Sequence, residues 1–182
     1  MSKRNFLFEK DGFKDWESLN DTIMGGKSVA TCESTNSGLI FKGNIIEKGG
    51  GFVSCRSSLY KPPLDLSKFN EFEINVAGEG RNFKFAVSCQ DEIFGLTEFI
   101  PGGLKWIKSF QTNKFGNTTV RLSFKDLRPS IRANKVNFPF KFNASKIKRL
   151  QILHSRFGDE GSINKNFKPG SIKILLKSIS VF

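Results

Sequence analysis

The chain has 182 residues, of which 38% are hydrophobic and 25% charged, and its formal net charge at pH 7 is +12. This length suffices for a buried core, and the 20 phenylalanines exclude a disordered composition. No run reaches the roughly 18 apolar residues of a membrane-spanning helix, so we expect a soluble protein with a single domain over residues 1–182.

The first ten residues have no long apolar core, and acidic residues follow early, at Glu9 and Asp11. Signal peptides have an apolar core and transit sequences are poor in acids, so neither is predicted here. We therefore expect a cytoplasmic bacterial protein or a mature form, which could be peripheral to a membrane.

The first distinctive segment covers residues 16–28 and begins at a tryptophan. Asn20 and Asp21 have short polar side chains that stabilise turns. Gly25 and Gly26 allow a close backbone approach where any Cβ would clash. Trp16 and Met24 can bury apolar surface on either side of the turn. The composition predicts a fixed, non-regular corner.

A second glycine corner covers residues 49–56. Asp21 and Arg56 are the charges embedded in the two segments, and a guanidinium can bind a carboxylate with two hydrogen bonds. We therefore predict that the two corners meet and are locked by a partly buried Asp21–Arg56 ion pair. Losing one partner of a well-buried pair would cost about 3–5 kcal/mol.

The remaining chain alternates between apolar and polar residues at period two, which is typical of strands. Residues 61–66 contain consecutive prolines and are predicted as a loop. The glycine-bearing turn at 78–82 predicts a hairpin between its neighbouring strands. With no long helical stripe, the pattern predicts an all-β sandwich or barrel. Strands are predicted over residues 38–46, 52–59, 72–76, 83–89, 94–99, 106–112, 119–124, 147–154 and 171–182.

The two glycine segments resemble the signature of the complex I intermediate-associated protein 30 family, which contains respiratory complex I assembly factors and their bacterial and plastid relatives. A weaker third match lies at residues 78–84, and Ser123 and Thr118 depart from a proline and a tryptophan that are usual in the family. The motif residues of the two main segments are Trp16, Asn20, Asp21, Met24, Gly25, Gly26, Ser28, Gly50, Gly51, Phe52, Ser54 and Arg56.

This resemblance implies a galactose-binding-like jelly roll, which periodicity alone does not distinguish from an immunoglobulin-like sandwich. It also implies an assembly or chaperone-like role for a membrane-associated electron-transfer complex of the NADH dehydrogenase type, with partners that are its protein subunits. The motif corner is either structural, which we favour, or a binding pocket. The pocket residues would be Asn20, Asp21, Met24, Gly25, Gly26, Ser28, Gly50, Gly51, Phe52, Ser54, Arg56 and Arg81.

The excess of positive over negative charge lies entirely in the second half of the chain. Residues 1–91 carry 12 basic and 12 acidic side chains, whereas residues 92–182 carry 17 basic and 5 acidic ones. This asymmetry indicates an anionic neighbour, namely an acidic protein, RNA or an anionic membrane surface, or else a solvated face enriched in lysine by genome composition. The candidate basic surface comprises Lys105, Lys108, Lys114, Arg128, Arg132, Lys135, Lys141, Lys146, Lys148 and Arg149.

The three cysteines, Cys32, Cys55 and Cys89, are widely spaced, and no histidine lies near them in the sequence. A zinc site is therefore not expected. Each lies in an apolar or alternating run where a reduced cysteine acts as a small hydrophobic residue. We expect three reduced cysteines and a reducing compartment.

No residue set predicts catalysis. His154 is the single histidine, and nothing around it resembles a nucleophile motif. The acidic pairs at 91–92 and 159–160 are predicted in loops, without a feature that selects them for glycoside hydrolysis. We expect no enzyme activity, no cofactor and no metal.

Two binding functions remain as alternatives to the assembly role. RNA binding would use basic residues interleaved with phenylalanine at 110–115, 138–142 and 156–157, because aromatic rings stack on bases. Plastid relatives of the family are linked to messenger translation, which supports this alternative. Carbohydrate binding would need an exposed platform from Trp16, Trp106 or Tyr60.

Overall fold

The computed structural model of the chain describes residues 3–90 and 103–182. The predicted strand over residues 94–99 lies outside the described residues. The strands are β1 (Asn5–Glu9), β2 (Glu17–Ser18), β3 (Val29–Thr35), β4 (Gly38–Ile45), β5 (Phe52–Arg56), β6 (Glu71–Ala77), β7 (Asn82–Cys89), β8 (Lys105–Gln111), β9 (Thr118–Ser123), β10 (Arg128–Ile131), β11 (Asn134–Lys135), β12 (Ile147–Ser155) and β13 (Gly170–Val181). Short 3-10 turns lie at Lys10–Phe13, Asp21–Met24, Phe124–Asp126, Ala144–Lys146 and Asp159–Gly161.

The strands form two sheets. The six-stranded sheet has the order β3-β4-β13-β6-β9, and β1 also pairs with β13. The seven-stranded sheet has the order β11-β10-β8-β7-β12-β5-β2. Every strand pairing among the described residues is antiparallel. The prediction of an all-β, galactose-binding-like jelly-roll sandwich is confirmed. No helix in the described part of the chain is long and apolar enough to span a membrane.

The hydrophobic core lies between the sheets and consists of the apolar face of each alternating strand. In β7, Phe83, Phe85 and Val87 are buried in this core. Successive strand residues point to opposite faces, so Lys84 and Ala86 lie on the other side of the seven-stranded sheet. We call that side, which faces away from the core, the outer face.

The predicted hairpin at residues 78–82 is wrong. β6 belongs to the six-stranded sheet and β7 to the seven-stranded one, so this turn carries the chain from one sheet to the other. Alternation within two strands is the same whether they pair or face each other, which explains the error. A Cβ on Gly78 would lie 2.3 Å from Cγ2 of Thr112, so the crossing requires glycine there.

The prediction that all three cysteines are reduced is also wrong. Cys32 on β3 and Cys55 on β5 form a disulfide that joins the two sheets, with their Cα atoms 6.3 Å apart. Cys89 is not part of this disulfide. The residues are 23 apart in sequence and their pairing depends on the sandwich, so spacing did not reveal it. The reducing compartment inferred from reduced cysteines loses its basis.

Candidate functional site

The segment at residues 16–28 forms the edge of the seven-stranded sheet and then turns towards the six-stranded one. Its β2 pairs with β5, with Glu17 opposite Arg56 and Ser18 opposite Cys55. Trp16 is buried, and its ring makes edge contacts with Phe8 and Phe13. The tryptophan therefore anchors the corner as predicted.

Asp21 lies at the centre of the corner and is fully buried. Its carboxylate accepts hydrogen bonds from the Ser28 amide (2.9 Å), the Ser28 hydroxyl (2.7 Å) and the Gly51 amide (2.7 Å). The Ser28 hydroxyl in turn accepts one from the Ile46 amide (2.9 Å). Burial favours a raised pKa for the Asp21 carboxyl, but the hydrogen bonds from Gly51 and Ser28 outweigh it and lower the pKa. The carboxylate is therefore a charged structural centre.

Two motif glycines leave the space that the Asp21 carboxylate occupies. A Cβ on Gly26 would lie 2.3 Å from Cγ of Asp21, and a Cβ on Gly50 would lie 2.6 Å from its Oδ2. One glycine comes from each corner. The prediction that the two corners meet is confirmed, and the carboxylate lies between them.

The predicted Asp21–Arg56 ion pair is wrong. The guanidinium of Arg56 binds Glu17 instead, with its NH2 atom 2.8 Å from Oε1. Val53 and Cys55 point into the core, and Arg56 directly follows Cys55 on the same strand. Because successive strand residues point to opposite faces, the Arg56 side chain lies on the outer face. Asp21 takes backbone amides and a hydroxyl as partners because the glycine corner brings them to it.

Three further residues of the predicted pocket make separate contacts. Asn20 donates through Nδ2 to the Ala30 carbonyl (3.1 Å). Met24 is 67% exposed, so the prediction that it buries apolar surface is wrong. Arg81 is buried, and its guanidinium donates to the carbonyls of Lys168 and Ser171, which ties the crossing turn to the start of β13. Arg81 therefore links the crossing turn to the six-stranded sheet, to which β13 belongs.

A connected polar network lies on the outer face. The Lys105 ammonium donates to Oε1 of Gln151 (2.7 Å), and Nε2 of Gln151 donates to the Ser54 hydroxyl (2.8 Å). The Ser54 hydroxyl donates to the carbonyl of Leu19, next to the motif corner. This network thus links β8, β12 and β5 to the motif segment.

Several cations of the outer face are close together. Burial lowers the pKa of Lys105 to about 8, and Arg56 and Arg149 add repulsion between like charges. Burial likewise lowers the pKa of Lys84 to about 8, although Asp159 opposes this shift. The face therefore holds partly dehydrated positive charge.

The predicted basic residues do not all lie on this face. Lys105 and Arg149 do, whereas Lys114 lines an open cleft of about 670 Å³ beside the six-stranded sheet, together with Glu79 and Lys173. Arg128 uses its guanidinium on the carbonyls of Lys125 and Leu127. Lys108 lies on β8, Lys135 on β11 and Lys148 on β12. Lys146 ends the 3-10 turn Ala144–Lys146, Arg132 lies between β10 and β11, and Lys141 lies between β11 and β12.

The remaining candidates for chemistry are internal. His154 is fully buried; its Nδ1 lies 2.9 Å from the Asn82 carbonyl oxygen, and its ring stacks on Phe167. Trp16 and Trp106 are buried in the core, and the Tyr60 hydroxyl is also buried. Among the described residues no group of three or more His, Cys, Asp or Glu side chains could hold a metal ion.

Sequence reasoning missed two residues of the outer face, namely Lys84 and Gln151. The signal was present for Lys84, because it lies between two core phenylalanines on an alternating strand. Gln151 carried no signal, since its importance comes from the register that sets it opposite Arg56 on one side and Ala86 on the other.

Comparison with known proteins identifies one matching family and several structures with the same fold. The model of the family described as complex I intermediate-associated protein 30 (CIA30) matches residues 6–176. No curated protein matches the chain. The family 11 carbohydrate-binding module of the cellulase Lic26A-Cel5E of Clostridium thermocellum is 15% identical with a TM-score of 0.67, and the match covers 100% of this chain and 95% of that one.

Two further solved structures are similar. A family 11 module from Clostridium thermocellum in complex with a β-1,3-1,4-mixed-linked tetrasaccharide is 16% identical, with a TM-score of 0.66, over 98% of this chain and 95% of that one. The agarase AgWH50C is 9% identical, with a TM-score of 0.56, over 98% of this chain and 24% of that one. At these identities the likeness shows the fold alone.

Proposed function

The chain belongs to the complex I intermediate-associated protein 30 family, and from this membership we propose that it is a non-catalytic docking factor. It assists the assembly of a membrane-associated electron-transfer complex of the NADH dehydrogenase type, by transient contacts with protein subunits. The outer face of the seven-stranded sheet is the docking surface.

The observation that carries this proposal is that the motif corner and the outer face differ in burial and in their hydrogen-bond partners. The Asp21 carboxylate is fully buried and accepts three internal hydrogen bonds, which supports a structural role for the motif corner. On the outer face, by contrast, Lys105 and Arg149 are half-buried and lie on the same side of one sheet, although Gln151, which binds Lys105, is buried. Charges at the edge of a docking surface mainly raise the association rate and its salt sensitivity.

Carbohydrate binding has less support from the residues themselves. Sugar platforms are built from exposed aromatic rings, and both tryptophans are buried in the core. RNA binding is the stronger competitor because Phe115 and Phe138 are exposed and Lys114 lies over the Phe115 ring. These rings lie in loops outside the seven-stranded sheet, so the two binding modes are separable by mutation.

Affinity capture from native extract, with and without nuclease, tests the proposal. We expect electron-transfer complex subunits to be recovered and to survive nuclease. A variant with Lys105→Gln and Arg149→Gln should recover at least about fivefold less, whereas Lys125→Gln with Lys165→Gln, which removes the same charge from exposed sites, should not. Recovery of RNA, with the subunits lost on nuclease treatment, would replace this function by the RNA-binding alternative.

A further inference from the structure

Four large apolar side chains are exposed around the motif corner. Their exposed fractions range from 36% to 67%, although side chains of these types are usually buried. Single exposed apolar residues are common, whereas several in one region mark an interaction surface. We call these side chains the corner patch, and they belong to Ile23, Met24, Val29 and Ile46.

Backbone contacts hold the two turns of the corner patch together. The Ser28 hydroxyl accepts a hydrogen bond from the Ile46 amide at 2.9 Å, which ties the first corner to the chain after β4. A Cβ on Gly49 would lie 3.8 Å from the carbonyl oxygen of Gly25, so the chain directly after Met24 adjoins the second glycine corner. The corner patch therefore occupies one region of the surface.

Two members of the patch point away from the core. Val29 and Asn44 are paired in the register of β3 with β4, and Ile46 is two residues beyond Asn44. Ala30 and Ile45, the neighbours of Val29 and Ile46, are buried in the core. Because successive residues of an extended chain point to opposite faces, Val29 and Ile46 both lie on the solvent side of the six-stranded sheet.

The buried carboxylate of Asp21 gives the patch a fixed backbone. It accepts hydrogen bonds from the amides of Ser28 and Gly51, one from each of the two turns that carry the patch. Side chains on a fixed backbone lose less conformational freedom when they bind. The motif corner is therefore structural on its inner side and presents an organised apolar surface on its outer side.

Lysines flank the corner patch on both turns. Lys27 lies on the first turn and Lys48 on the second, and both are exposed. Glu47 is the only acidic residue in the segments 22–29 and 46–51, and its carboxylate lies 4.0 Å from Nε of Arg156. The apolar surface therefore has a positively charged rim.

The patch also lies at an end of the sandwich. β12 is paired with Phe52, which directly follows the second glycine corner, through Ser155 at one end. At its other end β12 is paired with Cys89 through Ile147. Its nine residues separate these ends by about 26 Å. Side chains at an end of the sandwich can meet a flat surface while both sheet faces stay free.

From this arrangement we infer that the corner patch binds the surface of a membrane that contains anionic lipids. Ile23 and Met24 enter the headgroup region, and the ammonium groups of Lys27 and Lys48 approach the lipid phosphates. Removal of apolar side chains from water and attraction of ammonium groups to an anionic leaflet both favour this contact. The inference goes beyond the proposed docking function, whose subunit contacts use the outer face of the seven-stranded sheet.

The chemistry of the patch favours a lipid surface over a pocket in a protein. Protein interfaces are enriched in aromatic residues and arginine at their energetic centres and are depleted of lysine. The corner patch has no aromatic ring, and its two flanking cations on the turns are lysines. Lysine beside exposed apolar side chains is instead typical of segments that lie at the surface of an anionic membrane.

Sedimentation of the full chain with lipid vesicles tests the inference. Vesicles of phosphatidylcholine with about one third phosphatidylglycerol should bind at least about tenfold more tightly than vesicles of phosphatidylcholine alone. Ile23→Ser with Met24→Ser should weaken binding to the anionic vesicles at least about tenfold, because less apolar surface leaves water. Phe115→Ser with Ile163→Ser removes two other exposed apolar side chains and should change binding less than about twofold.

A second pair of variants separates the lysines of the patch from net charge. Lys27→Gln with Lys48→Gln should weaken binding to the anionic vesicles at least about fivefold. Lys125→Gln with Lys165→Gln removes the same charge from exposed sites elsewhere and should change binding less than about twofold.

A fluorescent reporter places the patch in the membrane directly. In a Met24→Trp variant, the emission of the new tryptophan should shift to shorter wavelength when anionic vesicles are added, and brominated lipids should quench it. Trp16 and Trp106 are buried and give a constant background in the parent chain. All variants should keep the urea unfolding midpoint of the parent chain, because the substituted side chains are exposed.

Four outcomes would overturn the inference. Equal weakening by both lysine variants would mean that net charge alone attracts the vesicles. Unchanged emission of the Met24→Trp variant on bound vesicles would place the membrane contact elsewhere. If Ile23→Ser with Met24→Ser abolishes capture of partner subunits but leaves vesicle binding unchanged, the patch binds a protein. A dimer of the parent chain in analytical ultracentrifugation that this variant does not form would assign the patch to a second copy.

Discussion

Asp21 holds two separate chain segments together because Ser28 from one corner and Gly51 from the other donate to the same carboxylate. Hydrogen bonds to a buried charge contribute more than neutral ones, about 1.5–3 kcal/mol each. Gly26 and Gly50 beside it are needed because they have no side chain, since a methyl group on either would occupy the space of the carboxylate.

Substitution of Gly26 by alanine should therefore lower the free energy of unfolding by about 2 kcal/mol or more, because the new Cβ overlaps Asp21 at 2.3 Å. Gly12→Ala is the matched control, since a Cβ there meets nothing within 4 Å. Urea unfolding monitored by tryptophan fluorescence measures both. Similar midpoints for the two variants would show that the carboxylate can move away.

His154 predicts a pH dependence of stability. Burial, together with the positive charges of Arg81 and Lys168, lowers its pKa from 6.5 to about 4, although the hydrogen bond to Asn82 opposes the shift. Between these values the unfolded chain binds a proton that the folded chain does not, so stability should fall by about 3 kcal/mol as pH drops from 6.5 to 4.

The measurement is urea unfolding at pH 7 and pH 5, with His154→Gln as the variant that removes this titration. The variant should be less stable at pH 7 but should lose less stability on acidification than the parent chain. Because the chain has one histidine, its imidazole NMR signal reports the pKa directly. A midpoint near 6.5 in the folded protein would contradict the prediction.

At the scale of the elements, two connections decide how the sheets are held against each other. The turn at residues 78–81 carries the chain across the sandwich, and Arg81 fixes it to the carbonyls of Lys168 and Ser171. A second connection is the Cys32–Cys55 disulfide, which joins β3 to β5. Each connection links strands that do not share backbone hydrogen bonds.

Removal of the disulfide by Cys32→Ser with Cys55→Ser should lower the free energy of unfolding by roughly 3 kcal/mol. The reason is that the bond joins residues 23 apart in sequence and so closes a loop of that length in the unfolded chain. Cys89→Ser, which leaves the Cys32–Cys55 disulfide intact, is the control. Thiol titration of the denatured chain should give one thiol before reduction and three after. Three thiols without reductant would contradict the bond.

At the scale of the whole molecule, the excess positive charge is distributed over several surfaces, and the outer face collects one part of it. Lys105 and Arg149 lie there, whereas Lys114 lies beside the six-stranded sheet. Net charge by itself would attract any anion, whereas the hydrogen bond to Gln151 holds the Lys105 ammonium in one place.

Docking should therefore depend on salt through Lys105 and Arg149. Recovery of partner subunits should fall several-fold between 50 and 500 mM NaCl, because screening shortens the Debye length from more than about 10 Å to about 4 Å. The Lys105→Gln, Arg149→Gln variant should show a flatter salt dependence. As the control for folding, its unfolding midpoint should match that of the parent chain. A salt slope that is the same in both proteins would assign the effect to general charge.

The sequence by itself determined the all-β class, the alternation that separates core from outer face, the contact between the glycine corners and the family. These follow from local patterns, because period two fixes which side chains share a face and glycine marks close approach. Only the tertiary structure decided that Asp21 takes amides and Arg56 takes Glu17, that β6 and β7 lie in different sheets, and that Cys32 meets Cys55. A pattern along one strand does not contain the identity of its neighbour, and each of these partners is brought into place by strands distant in sequence.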